Sequence, residues 1–366
     1  MSGPSLRIAN VGAEERPEAL EPPELPAATQ VARLWERLLG AGGAWDWLPG
    51  PEVAAAWLNT SAVERAASEA GKPLFGAPAA VVARVHDKAF AHDVASREGL
   101  VPACLRDCIT VFDPYALRDA ATGGDALESA LGDWPAWARA RFTLKPRLGS
   151  SGRGRVAGAD GAIDRPQREG ALPRLAARAG AVAEPWLDRT EDLSVQLLVE
   201  PGGSIRLLGS LSLQVDGSGL YRGHCGLVDA RGRVSSGSRF DEAVRDAAVA
   251  VALAAASEGY LGPCGVDAFA FHGPDGTETL RPVVELNARF TLGTIALSEV
   301  RRALATVRGP AGIAPGELRG FRFRLEPGAT DPEDPLDLAL GPAGVPPLAR
   351  LTFSRSDAPP PPDPSP

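Results

Sequence analysis

Three stretches of this sequence set reactive side chains at spacings that suit phosphate and metal chemistry. In FTLKPRLGSSGRGRVAG, residues 142–158, an apolar strand delivers Lys145, and a loop carrying Gly149, Ser150, Ser151, Gly152 and Gly154 follows at once. Glycines let a backbone approach a ligand and turn its N–H groups toward it, and the serines add hydroxyl donors, so the loop suits the covering of phosphates. The lysine comes before the glycines, whereas in a P-loop it closes them as GK[ST], and the Rossmann GxGxxG spacing is absent. A glycine-rich hairpin turn with no ligand would have the same composition.

A second stretch, RPVVELNARF at 281–290, places Glu285, Asn287 and Arg289 in an otherwise apolar run. On a strand, alternate side chains share a face, so Arg281, Val283, Glu285, Asn287 and Arg289 point one way and Pro282, Val284, Leu286 and Ala288 the other. A half-solvated strand shows the same alternation. GVDAFAF (265–271) and TLRPVVELN (279–287) flank GPDG-type turn residues, a hairpin signal. Asp267 and Glu285 each stand nine residues from Gly276. A hairpin centred there opposes them with Cβ atoms roughly 4.5–5.5 Å apart, which is destabilising for like charges. A divalent cation would compensate, with Asn287 as a neutral oxygen ligand, and so few protein oxygens suit Mg²⁺ shared with phosphates. An offset register would separate the acids instead.

In the third stretch, AVAEPWLDRTEDLSVQLLVE at 181–200, two strand-like pieces flank an acidic turn. Pro185 has no N–H and reads as a connector residue. Trp186 and Leu187 could border a flat heterocycle, and Glu191 or Asp192 could accept from sugar hydroxyls; a solvated hairpin explains the segment equally well.

The elements that would position these residues alternate in α/β fashion. LRIANVG (6–12) reads as a short opening strand, VARLWERLLG as an amphipathic helix stopping at Gly40, and HDKAFAHDVASREGLVP (86–102) as a helix with a stop at Gly99. ATGGDALESALGD (121–133) reads as a surface helix and DEAVRDAAVAVALAAASEGYLG (241–262) as the clearest helix of the chain. The tail SDAPPPPDPSP is expected to be disordered or polyproline-like.

Composition narrows the function classes. The 366 residues, 44% hydrophobic, can bury a sizeable core divided among sub-domains. A net charge of −8 argues against nucleic acid as a partner. The longest apolar run, AAVAVALAAA at 247–256, falls well short of the roughly 20 residues a bilayer span needs, so no membrane role is expected. The start, MSGPSLRIANVGAEE, has no basic or continuous apolar segment, and the protein is expected to be cytoplasmic. Cys104, Cys108, Cys225 and Cys264 form no CxxC pair and read as buried thiols rather than a metal site. Of 38 basic residues only Lys72, Lys88 and Lys145 are lysine.

Together these pieces resemble the ATP-grasp family. The likeness rests on the strand lysine Lys145 before a glycine-rich flap, the hinge E-x-W-L from Glu184 to Leu187 with an acid a few residues on, and Asp267 followed by E-x-N at Glu285 and Asn287. Asp87 and Lys88 match the D-K pair that often opens the helix ahead of the flap, so two of three lysines fall where the family holds ATP phosphates. The resemblance covers residues 86–290 and implies an α/β and α+β chain of ATP-grasp fold. It implies a pre-ATP-grasp α/β domain (1–103), a first sub-domain with the flap (104–200), a second with the metal site (201–355) and a Pro-rich tail (356–366).

By the same resemblance, Lys88 and Lys145 bind phosphates, and Gly149, Ser150, Ser151, Gly152 and Gly154 close over them. Backbone groups of Glu184, Trp186 and Leu187 meet the adenine, Glu191 or Asp192 holds the ribose, and Asp267, Glu285 and Asn287 hold Mg²⁺ (or Mn²⁺). Arg289 neutralises the transferred phosphoryl group or an acyl-phosphate. Several family members carry an arginine two residues before the metal aspartate, where this chain has Gly265; Arg206 and Arg222 are candidate replacements, and His224 is left open. The implied reaction is activation of a carboxylate by ATP for attack by an amine or thiol, releasing ADP and phosphate. Phosphoryl transfer without ligation and a non-catalytic ATP-binding regulator are the alternatives. The expected partners are a small-molecule or peptide carboxylate and an amine; their identity and the oligomeric state are not legible.

Overall fold

A computed structural model describes residues 5–40, 45–149, 152–215, 221–311, 314, 316–328, 334–341 and 346–359. The chain runs β1 (Leu6–Ile8), α1 (Pro26–Gly40), β2 (Ala54–Ala56), α2 (Ser61–Glu69), α3 (Ala79–Val85), α4 (Lys88–Arg97), β3 (Thr110–Phe112), α5 (Ala120–Gly132), α6 (Ala136–Ala140), β4 (Arg141–Pro146), β5 (Val156–Ala159) and α7 (Arg165–Ala176). It continues with β6 (Ala181–Pro185), β7 (Arg189–Val199), β8 (Ile205–Val215), β9 (Tyr221–Asp229), β10 (Val234–Ser235), α8 (Asp241–Ser257), β11 (Gly262–His272), β12 (Glu278–Asn287), α9 (Leu292–Ala311), β13 (Leu318–Leu325), β14 (Asp337–Leu340) and β15 (Ala349–Phe353). None of the described helices is long and apolar enough to cross a membrane.

The backbone forms two compact units, each drawing on separated stretches of sequence. Residues 1–82, 192–267 and 287–366 make the first, and residues 83–191 and 268–286 the second.

In the first unit β1 and β2 pair in parallel, Leu6 with Ala54 and Ile8 with Ala56, with α1 as the connection. Residues Val31, Leu34, Trp35, Leu38 and Leu39 of α1 are buried, a 3.6-residue stripe that explains why VARLWERLLG is a helix. The larger sheet of this unit has the order β7-β8-β9-β13-β15-β14, with antiparallel pairings between β7 and β8, β8 and β9, β9 and β13, β13 and β15, and β15 and β14. Between Gln196 and Leu197 the register of β7 on β8 shifts, because β8 carries the extra residue Leu208. Helices α8 and α9 lie against β8.

The second unit holds the antiparallel sheet β3-β6-β4-β5. Leu127, Leu131, Phe142, Leu144, Leu172 and Leu175 build its core from α5, β4 and α7. Pro185 is a ladder residue of β6, opposite Phe142, and not a connector. By then β3 has ended at the partner of Ala183, so Pro185 has a neighbour on one side only, where a missing N–H is tolerated. The acidic turn expected around 188–192 is likewise part of a strand, since β7 already begins at Arg189. The hairpin tip between β11 and β12 closes with Gly273 N–H on the Thr277 carbonyl (2.8 Å) and an Asx turn from Thr277 N–H to Asp275 (3.0 Å), so it is centred on Asp275 rather than Gly276.

Candidate functional site

The second unit gathers cations around three carboxylates, Asp87, Glu285 and Glu184. Asp87 caps α4 by accepting from Ala89 N–H (2.8 Å), and the same carboxylate takes both Nε (3.0 Å) and an Nη (2.6 Å) of Arg147, two residues beyond Lys145. The Lys88 N–H donates to the Arg147 carbonyl (3.2 Å). This clamp fixes the start of α4, from which the Lys88 ammonium reaches the Gly149 carbonyl (2.8 Å) and the Glu285 carboxylate (3.1 Å). Burial pushes the Glu285 carboxyl up, but Lys88, Lys145 and His86 outweigh it and hold it down at about 2.

Lys145 on β4 pairs with Glu184 on β6, which also takes Arg281 of β12 at 2.9 Å; both carboxylate and guanidinium are about 95% buried. Burial again acts to raise Glu184, and Arg281, Lys145 and Arg189 override it, keeping the group well below the usual carboxylate range. Burial pulls the Lys145 ammonium down, with Arg189 and Arg281 adding to the effect and Glu184 resisting it. Three cations therefore press on one carboxylate, an arrangement that favours a further anion nearby.

The flap follows from β4. Gly152 and Gly154 have φ of 69° and 76°, and a Cβ on Gly154 would sit 2.6 Å from an Arg178 nitrogen, so this turn requires glycine. Ser150 and Ser151 lie outside the described residues. Just past the flap, the Arg155 guanidinium lies 4.4 Å from the Trp186 ring centroid. The Trp186 N–H is committed to the Arg141 carbonyl (2.8 Å), and Glu184 stands opposite Thr143 in the β6–β4 ladder.

The first unit holds its candidate residues differently, in a chain of hydrogen bonds relayed through amides and hydroxyls. Ser194 on β7 donates to Asp267 Oδ1 (2.7 Å), and Asn287 donates its amide to Oδ2 (3.0 Å). Arg289 in turn donates to Asn287 Oδ1 (3.1 Å) and to the Phe290 carbonyl (2.9 Å), and its Nε lies 2.5 Å from Glu14, in the turn after β1. Arg289 also lines a pocket of about 20 Å³ with Trp57, Asn59, Phe75, Tyr260 and Phe290, space for a single water. Glu191 and Asp192 are adjacent on β7 and so face opposite sides, with Asp192 on the side of Ser194.

Other candidates leave the chemistry. Nδ1 of His224 and the Tyr221 hydroxyl are 2.7 Å apart, and burial pulls the imidazole down to about 3, so it is a neutral structural histidine. Arg206 pairs with Asp46 (2.6 Å) and Glu200 (2.5 Å) at the surface, and Arg222 is exposed with partners of its own. No arginine could stand at Gly265: a Cβ there would meet Gln196 Oε1 at 3.0 Å and Thr291 Cγ2 at 3.1 Å. The cysteines are free thiols, and burial pushes Cys108 up to about 11 and Cys264 to about 12, consistent with inert packing.

Sequence reasoning passed over Glu14, Asp87 as a clamp for Arg147, Ser194 and Gln196. Only Asp87 carried a signal, its place at a helix start; the others depend on contacts between distant segments.

The residue types fit a hard cation. Among the described residues no group of three or more His, Cys, Asp or Glu side chains could hold a metal by itself. A cation here would therefore draw on an amide and on ligand oxygens as well, as Mg²⁺ shared with phosphates does. Asp267 Oδ1 and Oδ2 and Asn287 Oδ1 are oxygens of the kind a hard cation takes.

No family model and no curated protein matches the sequence significantly. Solved structures do match in shape. One is a biotin carboxylase in complex with β,γ-ATP from Campylobacter jejuni, with TM-score 0.52, 12% identity, and coverage of 90% of this chain and 74% of that one. Another is a carboxyaminoimidazole ribonucleotide synthase from Aspergillus clavatus complexed with ATP, with TM-score 0.51, 13% identity, and coverage of 97% and 95%. A third, N5-carboxyaminoimidazole ribonucleotide synthetase from Thermus thermophilus, has TM-score 0.50 and 16% identity, covering 84% and 78%. What is shared at such identities is the fold.

Proposed function

We propose, from the ATP-grasp fold that this chain carries, that it is an ATP-dependent ligase which activates a carboxylate as an acyl-phosphate for attack by an amine or thiol, releasing ADP and phosphate. The observation that supports it best is the cation-rich setting of Lys145, Arg281 and Arg189 around Glu184, joined by Lys88 on Gly149 and Glu285. Two of the three lysines of the chain, Lys88 and Lys145, would then meet triphosphate oxygens. Glu184 and Leu187 would meet the adenine through their backbone, with Trp186 beside them. Asp192 is the better ribose ligand, because it shares the strand face of Ser194. Asp267, Glu285 and Asn287 would hold Mg²⁺ (or Mn²⁺), which when bound offsets phosphate charge.

A carboxylate is a poor electrophile, and phosphorylation gives it a leaving group; the charge that accumulates needs fixed cations. Arg289 is the residue for that role, oriented by Glu14 and Asn287. No nucleophile on the protein is required. The free thiols agree with a cytoplasmic setting, and the substrates would be small molecules or a peptide.

ADP release from Mg²⁺ and ATP, measured against pooled carboxylates and amines with Asp267→Asn as the control, tests the reading. Release that needs both pools and vanishes in the variant supports the ligase. Release with an acceptor but no carboxylate would point to simple phosphoryl transfer, and absence of ATP binding would sink the proposal.

A further inference from the structure

The hydrogen bonds to Asp267 extend inward. Ser194 Oγ accepts from Gln196 Nε2 (2.8 Å), Gln196 Oε1 accepts from the Thr291 hydroxyl, and Thr291 Oγ1 accepts from Thr294 N–H (3.0 Å). Gln196 and Thr294 are fully buried, and Ser194 is 3% exposed. The protein makes room for the Gln196 amide: a Cβ on Gly293 would lie 2.5 Å from its nitrogen, and one on Gly265 would lie 3.0 Å from its oxygen. The shift in strand register falls at Gln196 itself.

Every donor and acceptor in this chain is fixed. A carboxylate can only accept and a guanidinium can only donate, so Asn287, standing between Asp267 and Arg289, must turn its NH₂ to the first and its oxygen to the second. Ser194 must likewise spend its one proton on Asp267, and its oxygen then needs a donor, which the Gln196 amide supplies. Without that donor the serine hydroxyl is free to rotate, and its hold on Asp267 is weakened.

We propose that Gln196 is a positioning residue for cation binding: acting through Ser194, it sets the orientation of the Asp267 carboxylate and, with Asn287, the oxygens offered to the metal. This rests on the reading of Asp267 and Asn287 as Mg²⁺ ligands. Neither Gln196 nor Ser194 touches the ion in this scheme.

The test measures Mn²⁺ affinity by the electron paramagnetic resonance of free Mn²⁺, with a non-hydrolysable ATP analogue present, for wild type, Asp267→Asn, Gln196→Met, Ser194→Ala and the Gln196→Met/Ser194→Ala pair. Each single variant at 196 or 194 is expected to weaken Mn²⁺ binding by about ten-fold or more, the range for partners that orient a metal ligand. Because the two residues act in series, the double variant should be no worse than the weaker single. Binding of the analogue in EDTA should be unchanged. Should Gln196→Met fail to fold, Ser194→Ala, which only removes a hydroxyl, carries the test alone. The inference is overturned if wild type binds Mn²⁺ through Asp267 while the variants bind it as tightly, or if the two losses add. Wild type that binds no Mn²⁺, or binds it equally after Asp267→Asn, would remove the ligand assignment itself and the inference with it.

Discussion

The two units fix their candidate site residues by opposite means. Around Glu184 and Glu285 the second unit uses charge against charge: Lys145, Arg281 and Lys88 are each within ion-pairing distance of a carboxylate. Around Asp267 the first unit uses amides and hydroxyls, and the ion pair of Arg289 with Glu14 stands at the end of the chain of hydrogen bonds. A charge cluster tolerates a change of anion, because its cations can turn from a carboxylate to a phosphate without being left bare. A chain of hydrogen bonds relayed through amides and hydroxyls gives direction instead, since each link has one workable polarity. The first arrangement suits capture of a triphosphate, the second the presentation of fixed oxygens to a cation.

Removing a partner should separate the two designs. Glu184→Gln takes from Lys145 and Arg281 the buried carboxylate they share and is expected to cost about 3–5 kcal/mol, read from the urea midpoint. A cost below about 1 kcal/mol, the range of a surface pair, would show that water already screens this cluster and would erase the contrast. Gly265→Ala pushes a methyl against Gln196 and Thr291 and should cost about 1–3 kcal/mol in the same experiment. A neutral outcome would mean that the chain of amides and hydroxyls has slack.

The acid response sharpens the contrast further. His224 protonates near 3 when folded, against an ordinary 6.5, so on acidification the unfolded chain takes up the proton first. The contribution of His224 is complete above about pH 6.5 and falls by up to about 1.4 kcal/mol per pH unit toward pH 3. Replacing His224 with Gln should flatten the slope of stability between pH 6.5 and 5, where the carboxylates of the second unit remain ionised; an unchanged slope would show that His224 is not the group responsible. The smallest effect is expected from Arg206→Ala. Its pairs with Asp46 and Glu200 lie at the surface, so the change should cost no more than about 1 kcal/mol and leave ATP binding intact.

Local features were legible in the sequence. The stripe of α1, the helix at α4 and the apolar body of α8 depend on neighbours within a few positions and lie where periodicity puts them, and the β11–β12 turn lies within one residue of the Gly276 centre read from its turn residues. The fold was legible through the order of Lys145, the flap glycines, Glu184, Asp267, Glu285 and Asn287, and the shape shared with the solved ligase structures agrees. Pro185 was misread because whether a proline is tolerated depends on where the neighbouring strand stops, which its own segment does not record. Gln196 was invisible for a similar reason: in LSVQLLVE it looks like an ordinary strand residue, and only Thr291 and Gly293, almost a hundred positions on, give it meaning.

The interleaving of the two units has a consequence for synthesis. The chain passes from one unit to the other after Val82, Glu191, Asp267 and Leu286. Neither unit is a continuous segment, so neither has its full complement of residues until the ribosome has made most of the protein: residue 286 for the second unit, and β15 for the main sheet of the first. The sheet that carries the flap has a core drawn from residues 108–183, whereas the main sheet of the first unit is incomplete until β15. A chain arranged in this way is expected to depend on slow translation or on chaperones to reach its native state, and a C-terminal truncation before β15 should yield aggregate rather than a smaller folded domain.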